Sequence, residues 1–199
     1  MSLRPTIIVF LRAPHLGAVK QRLAAGIGMV EARRFYIATT RRLLRRIGRI
    51  PRWDVRLSVT PDRAAREGRF WPAPLKRLAQ GHGDLGNRMA RAMGRFPNRP
   101  VVLIGSDIPD LSADHIERAF AALGQCDLVF GPARDGGYWL VGAREATMAQ
   151  GLFKNIRWSS PHALADTLAN AGGKRVQLLD HLDDIDDAAD LARWRAGLS

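Results

Sequence analysis

The run Val101-Val102-Leu103-Ile104-Gly105-Ser106-Asp107-Ile108-Pro109 decides the fold of this chain. Its first four residues are all apolar, which is typical of a strand that is buried on both faces of a parallel sheet. Asp107 follows this strand in a short turn before Pro109. Because ligands of open α/β sheets bind beyond the carboxyl ends of the strands, Asp107 is a candidate ligand-binding carboxylate.

Strand-like and helix-like segments alternate on both sides of this run. Apolar or alternating stretches predict six further strands, over residues 6–11, 53–59, 75–79, 127–131, 138–142 and 176–179. Helical spacing predicts helices from about residue 19, over residues 29–47, from residue 85, over residues 112–123 and 161–171, and after the acidic residues 183–190. This alternation predicts an α/β fold, with a mostly parallel sheet between two layers of helices, as a single domain over residues 1–199.

Two segments carry more specific expectations. Between residues 61 and 74, prolines, a glycine and charged residues predict an irregular connection. In the helix over residues 29–47, an apolar face is predicted to consist of Phe35, Ile37, Ala38, Leu43, Leu44 and Ile47.

The composition is that of a soluble globular protein, since 46% of the 199 residues are hydrophobic and 25% are charged. The one cysteine, Cys126, cannot form an intramolecular disulfide, which fits a reducing compartment. Arg12 and Pro14 interrupt the first apolar run too early for a signal sequence or a membrane span. We therefore expect a cytoplasmic protein without a membrane partner.

The formal net charge of +12 favours anionic partners in general. We interpret the arginines of the helix over residues 29–47 as a solvated helix face. A nucleic-acid-binding protein is the remote alternative, because the sequence contains no basic zipper, zinc finger or aromatic RNA-binding signature. The arginines concerned are Arg33, Arg34, Arg41, Arg42, Arg45, Arg46 and Arg49.

The loop after the first predicted strand is a candidate phosphate site. It offers Arg12, Gly17, Lys20 and Arg22 close to the start of a helix near Val19. Amides at a helix start and flexible cations can bind a diphosphate, although this loop matches neither a Walker loop nor a dinucleotide fingerprint. Exposed basic residues in a basic protein are an equally open interpretation.

Asp107 is also the first candidate for a metal ligand. Mg²⁺ or Mn²⁺ takes oxygen ligands, usually one or two carboxylates together with substrate phosphates. A rigid turn after a buried strand would hold Asp107 toward such an ion. The alternative is a turn or helix-capping carboxylate, although Asp110 or Ser112 could serve that purpose instead.

The run Asp183-Asp184-Ile185-Asp186-Asp187 is unusual in so basic a chain, because clustered carboxylates repel each other unless a cation or arginines compensate. We assign Asp186 to the metal. We assign Asp187 and Asp190 to capping of the last helix. Whether Asp184 or Asp186 is the second metal ligand stays open.

Asp135-Gly136-Gly137-Tyr138 places a carboxylate and two glycines after a strand, where a backbone can approach a substrate closely. Asp135 is a candidate to position an acceptor or to act as a base. A hairpin turn is the alternative, and a turn could also present Asp135 to a substrate. Tyr138 and Trp158 are further substrate candidates, although core packing is the commoner role of such aromatic residues.

A set of short motifs, in this order and spacing, carries a family resemblance. The motifs are Phe10-Leu11-Arg12-Ala13-Pro14 with Gly17, Val19, Lys20, Arg22 and Leu23; Gln80-Gly81-His82-Gly83-Asp84-Leu85-Gly86 with Arg88-Met89; Gly105-Ser106-Asp107-Ile108-Pro109-Asp110-Leu111; Gly131-Pro132-Ala133; Asp135-Gly136-Gly137-Tyr138; and Trp158-Ser159. Together they resemble the small bacterial GT-A type transferases known as radical-SAM/selenodomain-associated transferase 1. These are similar to the molybdopterin-guanine and phospholactate nucleotidyltransferases.

This resemblance implies a GT-A, Rossmann-like nucleotide-diphospho-sugar transferase fold. It implies that Asp107 and Asp186 hold Mg²⁺ or Mn²⁺. We expect Asp107 and Asp135 to be the catalytic residues. The nucleotide and its phosphates would be bound by Arg12, Gly17, Lys20, Arg22, Gly83, Asp84 and Ser106. The remaining substrate contacts would come from Gly136, Gly137, Tyr138 and Trp158.

The sequence departs from the family pattern at the predicted phosphate site and in the closing acidic segment. Arg12 stands where lysine is usual, and Gln21 replaces a common threonine or serine. The closing acidic segment lacks its usual Thr-Pro. The first change keeps the charge but alters the geometry, because arginine and lysine present their donors differently.

The function expected from the resemblance is metal-dependent transfer of a sugar from a nucleotide diphosphate sugar to a small acceptor. Nucleotidyl transfer from a nucleoside triphosphate to a phosphorylated small molecule is the alternative on the same fold. The expected partners are therefore a nucleotide and a small-molecule acceptor. A homodimer is left open.

Overall fold

In the computed structural model, which describes residues 3–67, 70–72 and 75–197, seven strands form one mixed sheet. All four residues of the run Val101–Ile104 are buried, as its apolar composition predicts. The strands are β1 (Thr6–Arg12), β2 (Asp54–Thr60), β3 (Lys76–Ala79), β4 (Val101–Ile104), β5 (Leu128–Pro132), β6 (Tyr138–Ala143) and β7 (Val176–Leu178).

The strand order β3-β2-β1-β4-β6-β5-β7 makes the sheet mostly parallel. β1 pairs in parallel with both β2 and β4, whereas β6 runs antiparallel between β4 and β5. The chain leaves β1 toward β2 and β3 and then returns to the other side of β1 to form β4. The strand order therefore reverses between β1 and β4, and a crevice opens there at the carboxyl ends of the strands.

Helices cover both faces of the sheet, which confirms the predicted three-layer α/β arrangement. Alternation along β1 sends Ile7 and Val9 to one core cluster and Ile8 to the other. The helices are α1 (Gln21–Ile27), α2 (Met29–Ile47), α3 (Arg63–Glu67), α4 (Leu85–Gly94), α5 (Ala113–Ala122), α6 (Ala163–Ala169) and α7 (Ala188–Ala196). No helix in the described ranges is long and apolar enough to cross a membrane.

Helix α2 has the predicted bounds, but its buried face is rotated from the predicted one. Leu43, Leu44 and Ile47 are buried as expected. Ala38 is exposed, whereas Tyr36 is buried. Tyr36 can be buried because its hydroxyl has hydrogen-bond partners in the backbone of Arg12, at the carboxyl end of β1.

The connection over residues 61–74 is not wholly irregular, because α3 occupies its first part. Five helical residues are too few for a detectable apolar period, so the sequence pattern missed this helix. Residues 68–69 and 73–74 of the predicted connection lie outside the described residues. A short 3-10 turn at Ala146–Ala149 was also not predicted.

The predicted helix caps are confirmed. Asp187 is the N-cap of α7, where its carboxylate accepts a hydrogen bond from the backbone N–H of Asp190. The carboxylate of Asp190 in turn accepts one from the backbone N–H of Asp187. Ser112 is the N-cap of α5 and its N–H donates to Nδ1 of His115. These caps satisfy amides that have no partner within the helix.

Candidate functional site

The turn that carries Asp107 is held from three sides. The backbone N–H of Gly105 donates to the Trp139 carbonyl on β6 over 3.1 Å, and that of Ile185 donates to the carbonyl of Asp107 over 3.3 Å. Behind the turn, the guanidinium of Arg46 on α2 donates to the carbonyls of Pro109 at 3.4 Å and Leu111 at 3.1 Å. The carboxylate of Asp107 therefore projects from a fixed backbone.

Three half-buried carboxylates meet at this turn. Asp107, Asp184 and Asp186 each offer an oxygen, and these oxygens lie within 4.8 Å of one another. Burial, followed by the charges of Asp186 and Asp107, raises the pKa of Asp184 to about 7. We call these three residues the acidic cluster.

Lys20 compensates part of this negative charge. Its Nζ lies 2.6 Å from Oδ2 of Asp107 and 2.7 Å from Oδ1 of Asp186, and its side chain is only 5% exposed. Burial alone would lower the pKa of Lys20, but Asp107 and Asp186 outweigh burial and raise it. Burial would likewise raise the pKa of Asp186, but the Lys20 ammonium outweighs it and lowers that pKa. Lys20 itself has a left-handed backbone, with φ of 50°.

The acidic cluster has the donor chemistry that Mg²⁺ or Mn²⁺ requires. Carboxylate oxygens are hard ligands, and one or two of them together with phosphate oxygens commonly complete the shell of such an ion. Asp184 and Asp186 both reach the cluster, so the geometry brings together Asp107 and both candidates for the second ligand. The ligand roles of these residues stay predictions.

A cleft of about 610 Å³ opens at the carboxyl ends of β1 and β4. Its lining includes Arg12, Lys20 and Ser106, which were predicted to bind the nucleotide, and Asp107 and Asp186, which were predicted to bind the metal. Arg22 lines it as well, with a side chain that is 74% exposed and 3.7 Å from Asp186. We call this cavity the phosphate cleft.

Arg88 also lines the phosphate cleft, although the sequence did not suggest a role for it. Its Nε donates to the carbonyl of Gly83 over 3.0 Å, and one terminal nitrogen lies 3.5 Å from the side-chain oxygen of Gln80. In the sequence, the only hint of a role for Arg88 was its position just after the motif Gln80-Gly81-His82-Gly83-Asp84-Leu85-Gly86. The structure of the turn into α4 shows that its side chain reaches the cleft.

Tyr36 is a second residue that sequence reasoning missed. Its hydroxyl accepts from the backbone N–H of Arg12 and donates to the Arg12 carbonyl, both over 3.0 Å, while Ser106 Oγ donates to it over 3.3 Å. It thereby links the end of β1 to the turn after β4. Burial, only partly offset by the hydrogen bond from Ser106, raises the pKa of Tyr36, so the hydroxyl stays protonated.

A smaller cavity of about 270 Å³ adjoins the phosphate cleft. Asp135, predicted to be catalytic, and Gly137, Tyr138 and Trp158, predicted to bind the substrate, line it. We call it the second cavity. The two cavities share Phe10, Gly105, Asp107 and Ser159, so the acidic cluster lies at their junction.

The glycines after β5 form the predicted turn. Oδ1 of Asp135 accepts from the backbone N–H of Gly137 over 2.8 Å. Gly136 has φ of 82°, and a Cβ there would lie 2.2 Å from the carbonyl oxygen of Pro161. Gly136 thus allows the turn to pack against the segment that leads into α6, and it does not itself line the second cavity.

Ser159 lies between the two cavities and has an unusual backbone, with φ of 55°. Such a conformation is costly for a residue with a side chain and is found more often at functional sites than elsewhere. The sequence had suggested Ser159 only as part of a motif.

Three predicted nucleotide residues lie away from the described lining of both cavities. The carbonyl of Gly17 accepts from the side chain of Gln21. Gly83 precedes α4, and Asp84 caps that helix by accepting from the backbone N–H of Asn87 over 2.7 Å. The nucleotide contacts of these residues stay predictions.

Comparison with known proteins identifies a family and one close structural relative. The family model described as "Uncharacterized protein conserved in bacteria (DUF2064)" matches residues 43–160. No curated protein matches the sequence. A provisionally assigned nucleotide-diphospho-sugar transferase from Desulfovibrio desulfuricans G20 is 31% identical with a TM-score of 0.89, over 99% of this chain and 88% of that chain.

Two more distant structures share the fold alone. The 4-diphosphocytidyl-2C-methyl-D-erythritol synthase from Anaerococcus prevotii DSM 20548 is 12% identical with a TM-score of 0.63, over 98% of this chain and 96% of that chain. The Rv0371c protein from Mycobacterium tuberculosis H37Rv, solved as a complex with manganese, is 17% identical with a TM-score of 0.58, over 97% of this chain and 98% of that chain.

Proposed function

This chain belongs to the DUF2064 family of bacterial proteins, and we propose that it is a metal-dependent transferase that acts on a nucleotide-activated substrate. The reaction we propose is glycosyl transfer from a nucleotide diphosphate sugar to a small acceptor. One observation carries the proposal: the acidic cluster lies where a cleft lined by basic side chains meets a second, largely apolar cavity.

The phosphate cleft suits the nucleotide end of the donor. Arginine and lysine side chains bind phosphate through charge-assisted hydrogen bonds. Gly17, Gly83 and Asp84 would shape the loops around the nucleotide, and Ser106 would contact it. The cleft's basic side chains are those of Arg12, Lys20, Arg22 and Arg88.

The acidic cluster suits Mg²⁺ or Mn²⁺, with Asp107 and Asp186 as ligands and Asp184 beside them. Such an ion would supply charge stabilisation to the departing diphosphate. Lys20 would contribute in the same place, since it already lies at the edge of the cluster and lines the cleft. The manganese complex of the distantly similar Rv0371c protein supports a divalent ion in this fold.

The acceptor would occupy the second cavity. Its hydroxyl oxygen attacks the anomeric carbon, the bond from that carbon to the diphosphate oxygen breaks, and the electron pair leaves with the nucleoside diphosphate. Asp135 takes the proton of the acceptor hydroxyl. Asp135 lines the second cavity, and its one hydrogen bond among the described contacts, from Gly137, leaves an oxygen for this role.

Nucleotidyl transfer is the second candidate, and the four basic side chains of the phosphate cleft favour it, because they would also suit a triphosphate. In that reaction a phosphate oxygen of the acceptor attacks the α-phosphorus, and diphosphate leaves with the electron pair of the broken bond. The fold shared with 4-diphosphocytidyl-2C-methyl-D-erythritol synthase supports this candidate as well.

We also propose that the chain belongs to the narrower group known as radical-SAM/selenodomain-associated transferase 1, and that it acts as a single cytoplasmic domain. The ordered motifs support the first proposal. Binding to nucleic acid is less well supported, since Arg46 and Arg33 of α2 donate to backbone carbonyls within the protein and Arg34 pairs with Glu31.

A screen of nucleotides with Mg²⁺ or Mn²⁺, read by melting temperature, tests the function. A ligand that binds the native state raises the melting temperature. Nucleotide diphosphate sugars should raise it more than triphosphates if the chain transfers sugar, and the reverse order would support nucleotidyl transfer. If neither class raises it while duplex DNA binds with a steep salt dependence, the transferase proposal fails.

A further inference from the structure

The second cavity is small and largely apolar. Phe10, Met89, Tyr138 and Trp158 contribute to its walls. The rings of Tyr138 and Trp158 meet edge to face, with centroids 6.5 Å apart and an angle of 68° between their planes. The volume of about 270 Å³ lies just below the range of roughly 300–1,000 Å³ that is usual for drug-sized ligands. The cavity therefore suits a compact molecule with an apolar body.

The charge of this cavity is opposite to that of the chain as a whole. Its described lining includes the carboxylates of Asp107, Asp135 and Asp184, and no lysine, arginine or histidine. The chain as a whole carries a formal net charge of +12. The adjoining phosphate cleft follows the general excess of positive charge, so the two cavities differ sharply in electrostatic character.

Basic groups beside the second cavity are already engaged. Arg157 forms an ion pair with Asp166 at 2.7 Å, and Arg134 forms one with Asp183 at 2.9 Å. Lys20 is bound by the acidic cluster. The start of α4, which also borders the cavity, is capped by the carboxylate of Asp84. A phosphate in the second cavity would therefore meet three carboxylates and no cationic side chain among the described lining residues.

We propose that the second cavity takes an acceptor without negative charge, with an apolar body against Tyr138 and Trp158 and a hydroxyl directed at Asp135 or Asp184. This inference rests on the function proposed above, because it names the acceptor class of the same site. A hydroxyl can donate to a carboxylate, whereas a phosphate is repelled by it and loses its hydration without compensation. The inference favours glycosyl transfer over nucleotidyl transfer to a phosphorylated molecule.

Three probes with the same ring separate the effect of charge from that of shape. Benzyl alcohol, benzylamine and benzyl phosphate are titrated by saturation-transfer NMR in buffer with Mg²⁺, without nucleotide, and with saturating inorganic diphosphate to fill the phosphate cleft. We expect benzyl alcohol or benzylamine to bind at least about tenfold more tightly than benzyl phosphate, which corresponds to ~1.4 kcal/mol. Equal or tighter binding of the phosphate overturns the inference, as does the absence of binding by both other probes.

A charge introduced at the rim gives a second test. Leu85 lines the second cavity and is 38% exposed, so Leu85→Lys adds a cation without disturbing the core. We expect it to remove most of the discrimination against benzyl phosphate. Leu178→Lys makes the same change in net charge on β7, at a residue that is 52% exposed and outside the described lining of this cavity, and should leave the discrimination unchanged.

The two proposals fail in different measurements. The probe titrations contain no nucleotide and keep the phosphate cleft filled with diphosphate, so they report the second cavity. If nucleotide sugars with Mg²⁺ leave the melting temperature unchanged, the proposed function is overturned. If nucleotide sugars stabilise the protein but Leu85→Lys and Leu178→Lys change the discrimination equally, the acceptor inference is overturned while the function remains.

Discussion

Nζ of Lys20 lies 2.6 Å from Oδ2 of Asp107 and 2.7 Å from Oδ1 of Asp186, so one buried ammonium contacts both carboxylates that we propose as metal ligands. An ion that binds these oxygens must compete with Lys20. The metal ion and the Lys20 ammonium compete for the same carboxylates. We therefore expect metal binding to release Lys20, which can then move toward the substrate phosphates.

Lys20→Met should tighten Mn²⁺ binding in the absence of nucleotide by about tenfold, or ~1.4 kcal/mol, because it removes the competing ammonium. It should at the same time weaken nucleotide binding. Electron paramagnetic resonance of free Mn²⁺ measures the first effect directly. Arg22→Met is the matched control, since Arg22 is 74% exposed and lies 3.7 Å from Asp186. Unchanged or weaker Mn²⁺ binding in Lys20→Met would contradict the competition.

Asp107→Ala and Asp186→Ala should each abolish the metal-dependent rise in melting temperature that nucleotides produce. Each variant should still fold, because Lys20 keeps the other carboxylate as a partner. Circular dichroism checks the fold, and thermal melts with nucleotide and Mg²⁺ check binding. Asp114→Ala, at an exposed position on α5, is the control. If nucleotide with Mg²⁺ still raises the melting temperature of Asp107→Ala, the proposed role of Asp107 as a metal ligand is wrong.

Tyr36→Phe should lower the free energy of unfolding by about 1–3 kcal/mol, because the part-buried N–H and carbonyl of Arg12 and the hydroxyl of Ser106 lose their shared partner. Urea unfolding measures this loss. Tyr138→Phe is the natural control, since the Tyr138 hydroxyl makes a single long contact of 3.5 Å with Thr167 among the described hydrogen bonds. An equal loss of unfolding free energy in both variants would mean that the three hydrogen bonds of Tyr36 contribute no more to stability than the single long contact of Tyr138.

Gly136→Ala should destabilise the protein more than Gly172→Ala does. Both glycines have positive φ, of 82° and 60°, so both substitutions carry a backbone cost of roughly 1–2 kcal/mol. Only at Gly136 would the new Cβ also collide with the Pro161 backbone, whereas no atom lies within 4 Å at Gly172. We expect about 1–3 kcal/mol of additional loss at Gly136. Equal unfolding free energies for the two variants would argue against tight packing of the Asp135 turn.

Local features of the sequence determined much of the fold. The four apolar residues before Asp107 predicted a buried strand, and the spacing in residues 29–47 predicted a helix with the observed bounds. Asp187 and Asp190 were recognised as a helix cap, because a cap depends on neighbours three residues apart. Such signals depend on residues close together in the sequence. They can be recognised without the tertiary structure because they arise from backbone geometry and burial within one element.

The tertiary structure alone decided which of these elements meet. Lys20 and Asp186 are separated by 166 residues, and no local pattern pairs them. The positions of Tyr36 and Arg88 at the phosphate cleft, and the contrast in charge between the two cavities, likewise depend on the strand order. The reversal of that order between β1 and β4 brings these loops together, because loops that follow neighbouring parallel strands open at the same edge of the sheet.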